Sequence, residues 1–369
     1  MDWANLGDGP AGMIPELALA SDVADYVRFR AVCQPWRRCS PDPCAGGLDS
    51  LFLPHQWIML DKAFAGPRRH RFLNVSTGEC IRMDIQELGV GGHTLLALTP
   101  EGLLLLLHEP SLVVRLLNPL THQLTDLPPM TALLTPEQHR SWSCGFEMGK
   151  LIRVSGVGLV VEASTVAVSF FNQGLVVAKP GDVSWTVVAN QSMSSCMPFA
   201  GRFYCANYRG VMVLTTSSDQ QPPRLHMLVD RNKSCDLFQM MDNHHHLVDN
   251  GGELMLVHRT TLYRYSGYER SYDVYRVDLE AGALVPIKGF NGRAVFMGIG
   301  RTISVSAETP FSSIAADTIY PGHDCEGQIQ GYNIADGSTY SVGLDELVCP
   351  PGVVDCLRFC IQVVGRWLA

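Results

Sequence analysis

Charge is what this sequence has least of. Only 17% of its 369 residues are Asp, Glu, Lys or Arg, against roughly 25% in an average soluble domain. So few charges leave little solvated helical surface and favour strands buried on one or both faces. Basic charge is scarcest of all: the formal net charge is −8. The tightest basic run, Arg68-Arg69-His70-Arg71, stands just ahead of an apparent strand and reads as its solvated start. No nucleic-acid partner is expected, because a phosphate-binding protein gathers Lys and Arg on one face. Long hydrophobic runs are missing too. The most apolar stretch, Leu103–Leu107, is five residues long, whereas a spanning helix needs about 20, so no membrane partner is expected. The start, Met1-Asp2-Trp3, lacks the basic-then-apolar order of a signal peptide.

Twelve cysteines are present, but they are scattered singly and no C-x-x-C pair exists. That excludes the commonest zinc and dithiol redox motifs and leaves reduced thiols of a cytoplasmic or nuclear protein. The sequons at Asn74, Asn190 and Asn232 then carry no glycan. There is no G-x-S-x-G nucleophile elbow and no H-E-x-x-H metal motif. No enzyme activity, metal or cofactor is expected. His244-His245-His246 is the one eye-catching group. Successive side chains on a strand point to opposite faces, so three in a row make no tripod. A polar turn before Leu247-Val248 is the expectation; Asp242 or Asp249 could join a metal site only if the loop folds back.

What is there falls into two textures. Residues 1–45 read as helix and turn. Ser21-Asp22 is a plausible N-cap for a helix over Val23–Cys33, in which Val23, Tyr26, Val27 and Arg30 share one face and Phe29, Val32, Cys33 and Trp36 a second. Apolar faces in a segment too short for its own core pack on something else. Pro41, Pro43 and Gly46-Gly47 then form a linker-like break.

From about residue 50 the period becomes two. Val183–Val187, Tyr275–Leu279, Thr302–Ser306 and Leu357–Val363 alternate as half-buried strands. A weak repeat joins such strands: one reaches Asn or Asp, turns, and the next begins. It occurs at Asn74–Gly78, Asn118–His122, Asp278–Gly282 and Asn333–Gly337, with 44 residues from Asn74 to Asn118 and 55 from Asp278 to Asn333. Periods of this size with strand-turn-strand content indicate propeller blades. Residues 50–369 at about 45 per blade allow six or seven. The predicted fold is therefore mainly β, a β-propeller preceded by a short α-helical segment; the alternative is an irregular β-sandwich. His122 takes the place of a glycine, so its hairpin is expected to accommodate φ differently. Trp185 and Tyr275 read as core, while Trp57 and Trp142 occupy less regular places where either could be exposed. Segments 128–143, 217–224 and 266–271 read as long irregular loops suited to partner binding.

The first 45 residues resemble the F-box. The matching positions are Leu6, Pro10, Ile14, Leu17, Asp22, Val23, Phe29, Val32, Cys33, Trp36 and Arg37, and the closing Val32-Cys33-x-x-Trp36-Arg37 is the specific part. The rest resembles the plant F-box family that carries a KIB-type β-propeller. Arg71–Asn74, Leu116–Thr121, Gly201–Tyr204, Tyr275–Asp278, Gly292–Gly298, Ala316–Tyr320 and Val354–Leu357 carry that likeness in the family's order. The resemblance implies a substrate receptor of a cullin-based (SCF-type) ubiquitin ligase. Leu6, Pro10, Ile14, Leu17, Phe29, Val32, Cys33 and Trp36 would bind a Skp-type adaptor, and through it a cullin, with Trp36 as an anchor. The propeller would bind an unidentified target protein. Pro15 departs from the pattern: inside a helix it removes a backbone donor and clashes one turn back, which favours the alternative of a non-catalytic β-propeller interaction module with a degenerate F-box. A carbohydrate-binding propeller lacks support, because no aromatic or acidic site repeats per blade.

Overall fold

Strand alternation behind residue 50 becomes a ring of antiparallel meanders in the computed structural model. It describes residues 8–45, 47–60, 69–88, 92–171, 173–216, 222–230, 243–264, 267–298, 301–308, 313–322, 331–340 and 357–358. Three helices come first: α1 (Asp8–Ser21), α2 (Val23–Val32) and α3 (Gln34–Arg38).

Six sheets follow. Blade 1 is β1 (Trp57–Met59), β2 (Arg69–Asn74) and β3 (Cys80–Asp84). Blade 2 is β4 (His93–Leu98), β5 (Leu104–His108), β6 (Val113–Leu117) and β7 (Leu124–Pro129). After a further helix, α4 (Pro136–Ser143), comes blade 3: β8 (Val154–Val160), β9 (Thr165–Phe170), β10 (Gly174–Ala178) and β11 (Thr186–Ala189). Blade 4 is β12 (Ser195–Phe199), β13 (Arg202–Asn207), β14 (Gly210–Thr215) and β15 (Arg224–Asp230). Blade 5 is β16 (Asn243–Asp249), β17 (Leu254–Arg264), β18 (Gly267–Asp278) and β19 (Ala283–Ile287). Blade 6 departs from the meander. It holds β20 (Arg293–Met297), β21 (Thr302–Ser306), β22 (Thr318–Pro321), β23 (Gly331–Asn333) and β24 (Thr339–Tyr340) in the spatial order β21-β20-β22-β23-β24, with β20 and β22 parallel. The chain is a six-blade β-propeller preceded by helices, and the sandwich alternative is set aside.

The apolar clusters show why the sheets form a ring. Val114 and Leu116 of blade 2 pack on Val168 and Val176 of blade 3, and Leu175 and Val177 of blade 3 on Phe203 and Cys205 of blade 4. Val211 and Val229 of blade 4 meet Leu247 and Leu256 of blade 5, and Val248 and Val257 of blade 5 meet Val295 and Met297 of blade 6. Ile58 and Leu73 of blade 1 join Ala294 and Phe296 of blade 6, and Trp57 and Phe72 join Leu104 and Leu106 of blade 2. Six seams for six blades close the circle. Leu357 is fully buried in the seam between blades 6 and 1, and Arg358 Nε donates to Pro321 O at 2.9 Å, so the C-terminal stretch returns to the closing point. Residues 357–358 are helical; the rest of the strand expected over 357–363 lies outside the described residues.

The Asn-x-x-x-Gly repeat is one turn used four times. Asn74 Oδ1 accepts from Ser76 N and Thr77 N, and Gly78 N donates to Asn74 O. Asn118, Asp278 and Asn333 bind the backbone two residues on in the same way. The fifth residue is left-handed each time: Gly78 at φ 75°, Gly282 at 62°, Gly337 at 73° and His122 at 59°. The expectation for His122 is corrected. It adopts the glycine conformation rather than avoiding it, a strain on the order of 1–3 kcal/mol.

Other expectations change as well. In Val183–Val187 the strand begins at Thr186; Trp185 is buried, but Val183 is 91% exposed and Val187 48%, because residues 181–184 form a turn ahead of an outer strand. Trp57 is buried, 1% exposed, beneath the helices, and Trp142 packs at the edge of the cluster between blades 2 and 3. Trp185 is core as expected, its Nε1 donating to Pro128 O at 2.9 Å, and Tyr275 packs on the seam between blades 4 and 5. Segment 128–143 is not an irregular loop. It contains α4, whose N-terminus is a capping box: Gln138 N donates to Thr135 Oγ1 and Thr135 N to Gln138 Oε1. Residues 267–271 belong to β18, and of 217–224 residues 217–221 lie outside the described residues. His244–His246 is no turn but part of β16, where His245 and His246 are buried.

The approach of residues 52–54 to blade 2 gives a sharp test of the packing. Gly102 has φ 84°, and a Cβ there would lie 2.1 Å from Pro54 O. Neither the backbone sign nor the space tolerates a side chain. Gly102→Ala is expected to lower the unfolding free energy by at least about 2 kcal/mol, read as a fall in urea midpoint at unchanged m-value. An unchanged midpoint contradicts this packing.

Candidate functional site

The helical segment is built onto the propeller through one carboxylate. Asp22 is the N-cap of α2, extended at φ −161°, and its Oδ1 accepts from Ala24 N at 2.7 Å. The same carboxylate receives Trp57 Nε1 at 2.9 Å to each oxygen and Asn74 Nδ2 at 2.7 Å. A residue chosen for a local reason, ending α1 and starting α2, therefore also ties both helices to blade 1. Burial follows the tie: Val23 and Ala24 enter the cluster formed by Trp57, Phe72 and Leu104, with Leu19 and Val27 at its margin. Arg28 bridges Asp25 on its own helix and Glu79 beyond the Asn74 turn.

The break after the helices is held in the same manner. Tyr26 packs on Phe52, ring centroids 5.4 Å apart, and its hydroxyl donates to Pro41 O at 2.6 Å. Arg30 donates to Ser40 O at 2.6 Å, and Cys44 Sγ lies 3.5 Å from Thr121 O. The stretch expected to behave as a linker is laid against blade 2.

The positions matching the F-box pattern are placed as follows. Leu6 lies outside the described residues. Pro10 is the third residue of α1 and Pro15 is interior to that helix, the placement that costs about 3 kcal/mol relative to Ala. Ile14 is half-buried and Leu17 is 67% exposed. On α2, Phe29 is buried and Val32 is 63% exposed, with Cys33 half-buried behind it. Trp36 stacks on Phe29 at 4.7 Å with planes 16° apart, so it fills the angle between α2 and α3. Among the described residues of α1–α3, Leu17, Val32 and Met13, 63% exposed, are the large apolar side chains left to solvent. Sequence reasoning placed Asp22 as a cap but missed it as a clamp, because nothing local to Asp22 announces Trp57 and Asn74.

The helices occupy the rim that carries the Asn74 and Asn118 turns, at the C-terminal ends of β2 and β6. The hairpins β5–β6, β9–β10 and β13–β14 leave the other ends of their strands. Because β4, β8, β12 and β16 neighbour one another around the axis, each opening its own meander, those hairpins share the opposite rim. Phe171 and Tyr208 are exposed there, and Phe171 lines a small cleft with Gln138, Arg153 and Gln173.

Among the described residues, the buried titratable groups lie in separate places. His245 stacks on His258 at 4.9 Å, and His258 Nδ1 lies 3.6 Å from Asp273. His246, on the other face, is held well below the usual imidazole range by burial and then by Arg259. Among the described residues no three His, Cys, Asp or Glu side chains could hold a metal ion. No helix of the described residues is long and apolar enough to cross a membrane, which leaves strand-built crossings unaddressed.

These features define a class: a six-blade propeller carrying a packed helical segment on one rim. Residues 72–341 match the KIB1-4 beta-propeller family, and the chain belongs to that family. No curated protein matches it. Among solved structures it is similar to the extracellular domain of the hybrid two component system BT4673 from B. thetaiotaomicron, at 12% identity and TM-score 0.29, covering 52% of this chain and 24% of that one. The chain therefore spans about a quarter of that protein's solved length. The Myceliophteria thermophila Cps50 (Swd1) beta-propeller domain is similar at 11% identity and TM-score 0.30, covering 78% and 97%. Neither likeness adds to the family assignment.

Two substitutions test the site. Asp22→Ala removes a cap worth about 1 kcal/mol and strands two donors at about 1–3 kcal/mol each. The expected loss is about 3–7 kcal/mol, with hydrogen-exchange protection of residues 23–32 falling first; a loss under about 1 kcal/mol contradicts the clamp. Glu101 is buried and accepts from Leu159 N at 2.7 Å, and burial raises its carboxyl above the ordinary 4.5. A raised folded value means its contribution is complete below the unfolded value and is lost as pH rises through the folded one. Glu101→Gln keeps the acceptor without the charge. Its stability should exceed wild type at neutral pH and converge with it in acid, as read from denaturant midpoints across that range.

Proposed function

We propose that this protein is the substrate-recognition subunit of a cullin-based ubiquitin ligase, in which α1–α3 dock a Skp-type adaptor and the propeller binds the protein to be modified. The carrying observation is the apolar surface of the helical segment. With one face spent on blades 1 and 2, Met13, Leu17 and Val32 remain exposed at 63%, 67% and 63%, on helices that end in Val32-Cys33-x-x-Trp36-Arg37. Apolar side chains held outward on a rigid helix pair suit a groove on a partner. The propeller contributes binding and no catalysis, and the site of action is the cytoplasm or nucleus.

A second reading keeps the propeller as an interaction module without adaptor binding. Pro15 in the interior of α1 and the engagement of Trp36 with Phe29 favour it. Co-purification of the full chain with a Skp-type adaptor separates the two. The wild type should retain the adaptor in stoichiometric yield, and Leu17→Asp/Val32→Asp, altering only exposed side chains, should lose at least tenfold. If the wild type retains none, the ligase reading fails; recovery of binding by Pro15→Ala would then identify the helix as the cause.

A further inference from the structure

The seam between blades 3 and 4 is tightly packed at its inner strands but opens outward into a groove of about 410 Å³. Its floor is apolar and rich in methionine: Val188 from β11, Met212 from β14, and Leu225 and Met227 from β15. Two arginines line it and no acid does. Arg209 stands at the head of β14, while Arg224 opens β15 opposite Thr215 at the foot of β14. The cations therefore sit towards the two ends of the groove, at most roughly 20 Å apart along the strand at about 3.3 Å per residue. Arg209 stacks on the ring of Tyr208 at 5.6 Å and bonds its hydroxyl. Asp230 stands opposite Gly210, beside Arg209 in register, but does not line the groove.

One wall has a further property. β11 is the outer strand of blade 3 and, among the described residues, pairs only with β10. Its outer edge offers unpaired backbone groups, the template that an added strand uses. Met227, which lines the groove, is 44% exposed. Methionine floors adapt to different apolar side chains.

We infer that this groove binds an extended peptide segment of a protein partner, with apolar side chains over Met212 and Met227 and two carboxylates, three to five residues apart, on Arg209 and Arg224. The proposal deepens the reading of the propeller as the target-binding part, giving the target a chemistry, and peptide binding itself does not require the adaptor.

Selection of displayed random heptapeptides on the full-length protein, without adaptor, tests it. The enriched sequences should carry two Asp or Glu flanking Leu, Met or Val. A synthetic peptide of that consensus should bind at least tenfold more weakly when its acids become Asn or Gln, and more weakly again as salt rises. Arg209→Ala/Arg224→Ala should lose at least tenfold, whereas Arg209→Lys/Arg224→Lys, which keeps the charge, should retain most of the affinity and reports on folding. Enrichment of sequences without acids, binding indifferent to the alanine pair, or no enrichment at all overturns the proposal. Adaptor co-purification of the alanine pair should equal wild type, so failure here leaves the adaptor reading standing.

Discussion

An inner blade of this propeller has no solvent face. In β10, Leu175 and Val177 point into the seam with blade 4, while Val176 and Ala178 point into the seam with blade 2. Leu104 and Leu106 of β5 face blade 1, and Leu105 and Leu107 face blade 3. Burying one such side chain is worth about 1.5–3 kcal/mol, but only if a neighbouring blade stands on each side. The constraint is global: no blade is stable alone, and the series must close. It also accounts for the low charge content, since successive residues of the inner strands are both buried. The demanding place is the seam between blades 6 and 1, where chain neighbours do not supply the contact. There Leu357 fills the seam from the other end of the chain.

The turns satisfy the polar side of the same constraint. A strand buried on both faces has few places to end, and each end leaves backbone groups without ladder partners. The Asn turn supplies those partners from one side chain, with the fifth residue in the left-handed region to bring the chain round. His122 shows the geometry outranking the residue, since it adopts φ 59° where its equivalents are glycine. Asn74 does more than its copies. Its carbonyl oxygen holds the turn and its amide nitrogen reaches Asp22, so the element that closes β2 is also the one that seats α2. Trp57 completes the set by filling the space beneath the helices while its indole nitrogen meets the same carboxylate.

What was legible in the sequence was whatever is encoded locally. The turn recurs at Asn74, Asn118, Asp278 and Asn333 with fixed spacing, and that sufficed for a propeller of about the right size. Blade 6 blurred the count, because its inserted strand lengthens the interval from Asp278 to Asn333 to 55 residues. The cap at Asp22 was visible from its type and place. Helix α4 could have been found, since Thr135-Pro136-Glu137-Gln138 is a capping-box start with proline at the first turn. The burial of Trp57 could not, because it depends on helices that are distant in sequence. Val183 and Trp185 mark the other limit: alternation puts the two on one face, but the strand begins only at Thr186, so Trp185 is buried while Val183 is left in the turn ahead of it.

The clamp bears on how a receptor of the proposed kind would work. A helical segment tethered through Pro41, Pro43 and Gly46-Gly47 alone would sample many orientations, and a partner on it would bear no fixed relation to a partner on the propeller. Asp22, the Arg28–Glu79 pair and the Tyr26–Pro41 bond remove that freedom. Met13, Leu17 and Val32 are thereby carried in one attitude relative to the six blades. For a subunit whose proposed task is to hold two proteins in register, rigidity at this joint converts binding into positioning, at the level of effective concentration rather than affinity. The joint is then as much part of function as either binding surface, and weakening Asp22 would separate the two ends without touching a residue that contacts a partner.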